Sequence, residues 1–446
     1  MTGTTTINTP TTAGSVTIKN GGTLVLDSTL TVLADMTIES GGTLTHSQGS
    51  TALHTLDVGG NMTVAGTINL DAKGYAGGGL NTNGSGPGGG TGTDTVSYYS
   101  SYSAVGGPGG SYGGTGGAGG YRTVGAVYGS LTQPTDLGSG GTGGNSSYYG
   151  AGTAGGAGGG AIKLTVTGTL TVAGTLSANG ATPTAANNSN SGGGGAGGSI
   201  WLAVGTLAGT GAITYTTTTY TGTTTAYWGT GNQAGGAGTV YLKSASQTNG
   251  ELIVDNNNVI GNPGTPLTAA SYTFDATTLR NQGRLILSNT ATVFSGGALS
   301  VPAGTAILDI AKDISTEPAF ASVTVVSGAT LTQSGNGGSH AYSLILNVSG
   351  SATIAGTITL DAKGYAGGGL NTNGSGPGGG TGTDTVSYYS SYSAVGGPGG
   401  SIWLAVGTLA GTGAITANGG NGQQTGGSCG KWGGGGALPL TLRIRE

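Results

Sequence analysis

Residues 16–26 read VTIKNGGTLVL, and twenty positions later residues 36–46 read MTIESGGTLTH. Apolar and polar residues alternate in both, so Val16 and Ile18 point one way and Thr17 and Lys19 the other, the period of a strand. Gly21 and Gly22 then permit a positive-φ turn that a residue with a Cβ resists. Alternation resumes at Leu24 and Leu26. The same text returns as VTVVSGATLTQ at residues 323–333. LDVGGNMTVAGTINL from Leu56 matches LNVSGSATIAGTITL from Leu346, with a further relative, LTVTGTLTVAGTLSANG, from Leu164. Strand, glycine turn and strand, with no helical periodicity between them, do not suit crossover helices. They predict an all-β fold, a right-handed parallel β-helix (β-solenoid) in which each turn of chain stacks on the last and apolar residues form a continuous interior column.

A second kind of repeat lies over this pattern. Residues 70–111 recur without a change as residues 360–401, after which the second copy jumps to SIWLAVGTLAGTGAIT, the text of residues 199–214. An array in which each unit contacts only its neighbours tolerates such an excision, whereas a catalytic domain rarely does. The expected organisation is a first solenoid module over residues 1–250, connecting β-rungs over 251–322 and a truncated second copy over 323–446. Long glycine-rich insertions interrupt the first module at about 74–160 and 179–198. These tracts either pair backbone to backbone, including as polyproline-II-like segments, or form flexible loops on one face.

Composition narrows the function. Glycine (102) and proline (12) make up roughly a quarter of the 446 residues, yet the chain is 35% hydrophobic and its formal charge is only -4, which is not the profile of ordinary disorder. Only twelve Lys and Arg are spread along it, so no basic patch for nucleic acid can be drawn. No apolar stretch is long enough to span a bilayer, and the opening MTGTTTINTP has neither the basic nor the apolar region of a secretory signal. Cys429 is the sole cysteine and reads as a small loop residue, with Lys431 the only nearby cation.

Chemistry-bearing motifs are few. GGTGTDTVS at residues 89–97 fits the calcium-binding β-roll nonapeptide, with Asp94 as ligand and Asp384 as its copy, but it stands singly where calcium needs six to eight oxygens. GGSYG at residues 109–113 and GGSCG at 426–430 lack the strand-to-helix turn of a nucleophile elbow; no His follows Ser428 and only His340 follows Ser111. No catalytic residue is assigned and no cofactor is expected beyond weak calcium. A polysaccharide-degrading β-helix would draw its carboxylate pair from Asp71 and Asp94, their copies Asp361 and Asp384, or Asp255 and Asp275. A turn-capping role suffices for Asp71. Tyr98, Tyr99 and Tyr102, repeated as Tyr388, Tyr389 and Tyr392, sit among serines, the pairing used by recognition surfaces. TYTTTTYTGTTTAY at residues 214–227 raises ice binding, which needs Thr-x-Thr at one place in successive rungs; a run confined to one stretch reads instead as a solvated strand pair or hairpin.

With these segments, together with GGGGAGGSIWLAVGTLAGTGAI and GGAGTVYLKSASQTNGELIVDNNN, the chain resembles large glycine-rich bacterial surface proteins whose rungs are like those of filamentous-haemagglutinin-type β-helical adhesins. The resemblance implies an extracellular or cell-surface, non-enzymatic adhesive or structural protein contacting glycans or proteins through its Tyr/Ser/Gly loops. A self-assembling filament joined through open solenoid ends, with LPLTLRIRE at residues 438–446 as a terminal strand, is the alternative to that and to the degrading enzyme.

Overall fold

The computed structural model describes residues 1–91, 106–119, 122–145, 152–183, 191–210, 214–215, 218–221, 223–225, 235–256, 258, 264–287, 293–368, 373–379, 392–393, 397–420, 424–425 and 441–444. Among them the protein is all-β, with many parallel strands in stacked sheets. No helix is long and apolar enough to cross a membrane. The chain divides into two compact units, residues 1–265 and 266–446.

In the first unit the chain visits three parallel stacks in order. Thr4–Ile7, Thr23–Leu26, Thr43–Thr45, Thr67–Asn69, Thr175–Ser177 and Thr223–Thr225 pair successively in the first stack. Thr11–Ala13, Thr29–Val32, Thr55–Val58 and Ala161–Val172 begin the second, continued by Ser199–Thr210 and Thr239–Ser244. Val16–Ile18, Met36–Ile38 and Met62–Val64 form the third, joined by the far end of Ala161–Val172. Each circuit of the three stacks is one layer.

The alternation read from sequence sets which side is buried. Ile18, Leu24, Ile38, Leu44, Leu56, Val64 and Leu164 are all within 1% of complete burial. At about 1.5 to 3 kcal/mol for each such side chain, this column is the main favourable term in the unit. The turns between stacks also follow the sequence. Gly21 and Gly41 take φ of 76° and 81°, and Gly328, their counterpart in the second unit, takes 81°.

The second unit repeats the arrangement with its own layers. Gly283–Leu287, Thr305–Ile310, Thr330–Thr332, Thr357–Thr359 and Ala414–Thr416 pair in one stack. Ala276–Arg280 through Ala298–Val301, Ser322–Val325, Ser351–Ile354 and Thr408–Ala410 form another. The third contains Ser271–Thr273, Val293–Ser295, Ala319–Phe320, Leu344–Val348, Ile402–Val406 and Thr441–Ile444. Phe274, Phe294 and Phe320 run through its interior with ring centroids 6.3 and 5.9 Å apart. A fully buried Asp309 accepts 2.7 Å bonds from the Arg284 guanidinium and a 2.6 Å bond from the Ser334 N–H, tying three consecutive layers together.

The described glycine tracts of the first unit are ordered. Their backbone bonds repeat every third residue: Gly138, Gly141 and Gly144 donate to Gly159, Gly156 and Thr153, while Gly155 and Gly158 donate to Gly78 and Tyr75. Gly156 and Gly159 donate to Gly193 and Ala196, and Gly193 and Ala196 to Thr142 and Ser139. A period of three, with successive donors reaching different neighbours, is the signature of polyproline-II-like chains rather than a pleated sheet. Neighbours lie so close that a Cβ on Gly143, Gly158 or Gly198 would fall 1.8–1.9 Å from a carbonyl oxygen of another strand. Of the two sequence-based alternatives, the described tracts take the backbone-paired one.

Candidate functional site

The glycine bundle grows out of the stack at one end. Gly160 donates to Leu70 O and leads into Ala161–Val172, and Gly198 donates to Ala178 O and leads into Ser199–Thr210, so this end is rooted in the layers. Proceeding away from them, the ladder runs from Gly138 with Gly159 to Gly144 with Thr153. At that far end the Gly192 N–H donates to Thr153 Oγ1 at 2.9 Å and Gly107 donates to Ser191 O at 3.0 Å. The described residues Gly107, Gly144, Thr153 and Ser191 thus meet on the far side of the bundle. Arg122, 4% exposed, fastens this end: its guanidinium donates to Gly143 O and, at 2.8 Å, to Asn81 Oδ1.

Tyr98, Tyr99, Tyr102 and Asp94, with Tyr388, Tyr389 and Asp384, lie outside the described residues, as does Cys429. Tyr392 falls in a two-residue strand, Tyr392–Ser393, antiparallel to Gln424–Thr425. In sequence, SSYYGA at residues 146–151 precedes Thr153 and the Asn-rich TAANNSN at 184–190 precedes Ser191, both described residues of the far end. Tyr148 and Tyr149 stand in S-Y-Y text that repeats that around Tyr98 and Tyr99. The tyrosines within the glycine strands have another task. The Tyr75 ring lies over Gly86, the Tyr112 ring over Gly129, and Tyr365, the copy of Tyr75, over Gly376. Tyr128 meets Tyr112 edge-on at 5.1 Å, and burial pushes both hydroxyls well above the usual tyrosine range.

The carboxylates at the root of the insert act as caps. Asp71 Oδ1 accepts the Asn179 N–H at 2.7 Å, and Asp361 Oδ1 accepts that of Asn418 at 2.6 Å. Burial raises the Asp361 carboxyl, but hydrogen bonds from Asn418, Thr416 and Thr359 outweigh it and hold the group below its ordinary value. Ser111, of the GGSYG motif, is fully buried; it donates to Gly125 O at 2.6 Å and accepts from Gly116 N–H at 3.0 Å.

One cluster has the residue types of a metal centre: ligand atoms of Asp27, His46 and His54 lie within 4.8 Å of one another. The hydrogen bonds argue against it. His46 Nε2 accepts the Ala161 N–H at 3.1 Å, which leaves its proton on Nδ1, facing Ser47 O at 2.9 Å. Both Asp27 oxygens are taken by Ser47, at 2.7 and 2.6 Å. The imidazoles stack at 3.8 Å and 12°, so their in-plane lone pairs run side by side instead of converging. This is a buried neutral pair, and burial takes the His54 pKa down to about 4 and also lowers that of His46.

Against this geometry, comparison with known proteins finds no matching family model, no matching curated protein and no matching solved structure.

The threonine-rich stretch pairs as expected, and a longer threonine column runs beside it. Thr214–Tyr215 does pair antiparallel with Thr218–Thr221, the expected hairpin. Threonine is nonetheless not confined there: Thr4, Thr23, Thr43, Thr67, Thr175 and Thr223 stand in register across the first stack, although Thr-x-Thr itself does not occur in two successive layers. Two residues further along each strand come Thr6, Val25, Thr45, Asn69, Ser177 and Thr225. The layers are unequal in length, which hides the column from any fixed-period reading.

Proposed function

We propose that this chain is a non-enzymatic, extracellular β-solenoid that presents an adhesive surface at the far end of its glycine bundle. The carrying observation is that the described residues Gly107, Gly144, Thr153 and Ser191, which in the chain flank the Tyr-, Ser- and Asn-rich sequences 92–105, 146–151 and 184–190, meet at one end of a densely bonded support. Rigid backing lowers the ordering entropy that a recognition loop must lose on binding, and Tyr, Ser, Gly and Asn are the residues such surfaces use. A right-handed parallel β-helix accounts for the three stacks visited in order, because strand-to-parallel-strand connections of the opposite hand are rare. The roles found for Asp71 and Asp361 as caps, and for Ser111 as a buried bracket, favour adhesion over hydrolysis. Glycans or proteins of a cell surface or matrix are the expected partners, and the same assay with and without chelator tests calcium at Asp94 and Asp384.

The test is binding of the purified chain to a glycan panel and to matrix proteins, alongside a variant carrying Ala at Tyr98, Tyr99, Tyr102, Tyr148 and Tyr149. Retained melting behaviour with at least tenfold weaker binding is expected. Equal binding by both proteins, or release of new sugar ends from the panel, would overturn the reading.

A further inference from the structure

The first stack carries a second surface, remote in character from the aromatic one and independent of the adhesive reading. Its outward positions are set by the buried Leu24, Leu44, Ile68 and Leu176, which leave Thr23, Thr43, Thr67 and Thr175 on the opposite side of their strands. Those threonines occupy one column with Thr4 and, by register, Thr223. Parallel in-register pairing makes the column repeat about every 4.8 Å across strands, with the second column about 6.6 Å further along each strand. Neither column contains a charged residue from Thr4 to Thr225.

We infer that this face binds ice. Both repeats lie close to oxygen repeats in the ice lattice, so the hydroxyls can stand in for lattice waters while the γ-methyls lie against the ordered water cages that apolar groups induce. Threonine is suited to this because branching at Cβ restricts χ1, and neighbours in the column limit it further, so little freedom remains to be lost on adsorption. Charged side chains would impose radial hydration shells that break the lattice, and none is present in the columns. In the second column Val25 keeps the methyl half of the motif and Asn69 a hydrogen-bonding group, while Ser177 is buried, so the unbroken first column carries the inference. A repeating crystalline polysaccharide could also meet a regular hydroxyl array, but such ligands are ordinarily gripped by aromatic rings, and these columns contain none.

The test uses the full chain. Thermal hysteresis and inhibition of ice recrystallisation are measured for the wild type, for Thr43→Tyr and Thr67→Tyr in the middle of the column, and for Thr353→Tyr in the second unit as a control. The wild type and the control are expected to be active, and the two central variants to lose hysteresis several-fold with unchanged thermal melting. Should the central variants melt early, Thr4→Tyr at the exposed first layer supplies the same comparison with little demand on packing. An inactive wild type, activity retained in all face variants, or pelleting with insoluble chitin or cellulose in place of ice activity would each overturn the inference.

Discussion

Replacing Gly156 by alanine tests whether the glycine strands are held by backbone contact. Gly156 is buried; its N–H donates to Gly193 O at 2.9 Å and its carbonyl accepts from Gly141 at 2.8 Å. An added Cβ would sit 1.9 Å from Ala181 O, where real Cβ atoms essentially never come within 3.0 Å of a neighbour. The strand containing Ala181 must therefore retreat by more than an ångström. That strains two bonds, Ala181 N–H to Ala157 O at 2.8 Å and Gly195 N–H to Ala181 O at 2.9 Å. Losing a net bond and leaving buried groups unpaired costs about 1 to 3 kcal/mol each, from which alanine's smaller unfolded-state entropy recovers about 0.4 to 1 kcal/mol. The expected destabilisation is about 3 kcal/mol, a sizeable share of a typical domain's total. Gly14, with open space around its Cβ position and no positive φ, is the control: Gly14→Ala should be neutral or mildly stabilising. Urea unfolding supplies the energies, and hydrogen exchange at residues 155–159 locates the change. Equal midpoints for Gly156→Ala and Gly14→Ala, with protection intact in both, would refute close backbone packing as the reason for the glycine.

Two further outcomes follow from buried groups. His54 has a pKa of about 4 in the folded chain against 6.5 unfolded, so its neutral form stabilises the fold above pH 6.5 and that stability is lost as pH falls toward 4. The loss reaches about 2 to 3 kcal/mol at pH 4.5, with His46 acting in the same direction; a urea midpoint for residues 1–265 that is unchanged between pH 7.5 and 4.5 would contradict it. Arg122→Met keeps most of the stem but leaves Gly143 O and Asn81 Oδ1 without their donor, and should cost about 2 to 4 kcal/mol with faster exchange at Gly143 and Gly144. Wild-type protection there would show that the guanidinium does not fasten the bundle.

The layers were legible because their determinants are local. A period of two chooses the buried side, Gly21 and Gly41 take the positive φ that the Gly-Gly text implies, and each layer then has only one way to lay Leu24 over Leu44. The glycine bundle was not legible, because its bonds join residues far apart: Gly74 with Gly158, Gly110 with Gly194, Gly197 with Gly236. Glycine has no side chain to record which neighbour it faces. The threonine column was hidden for a different reason. Its members are separated by 19, 20, 24, 108 and 48 residues, so the local run at residues 214–227 is visible in sequence while the array itself is assembled from distant strands. His46 and His54 gave no signal either, since only the turn between them brings the two rings together.

The exact duplication separates what the insert dictates from what its surroundings supply. In both copies the first residue after the strand donates back to the next layer, Leu70 to Ser177 O and Leu360 to Thr416 O, each at 2.8 Å. Ala72 and Ala362 both take a positive φ, of 57° and 54°, and Ser85 and Ser375 close the same turn onto Ala76 and Ala366. Beyond that point the neighbours differ. Gly74 donates to Gly158, a residue absent from the shortened copy, whereas Gly364 donates to Pro398 within the insert itself. Gly160 and Gly400 nevertheless make the same 2.8 Å bond to Leu70 O and Leu360 O as they return the chain to the stack. The excision thus removes whole glycine strands between two conserved junctions and leaves the layer continuous. That continuity explains how a bundle can be enlarged or trimmed on a fixed scaffold: the layers need only the two ends of each insert to meet, so the number of glycine strands between them can change.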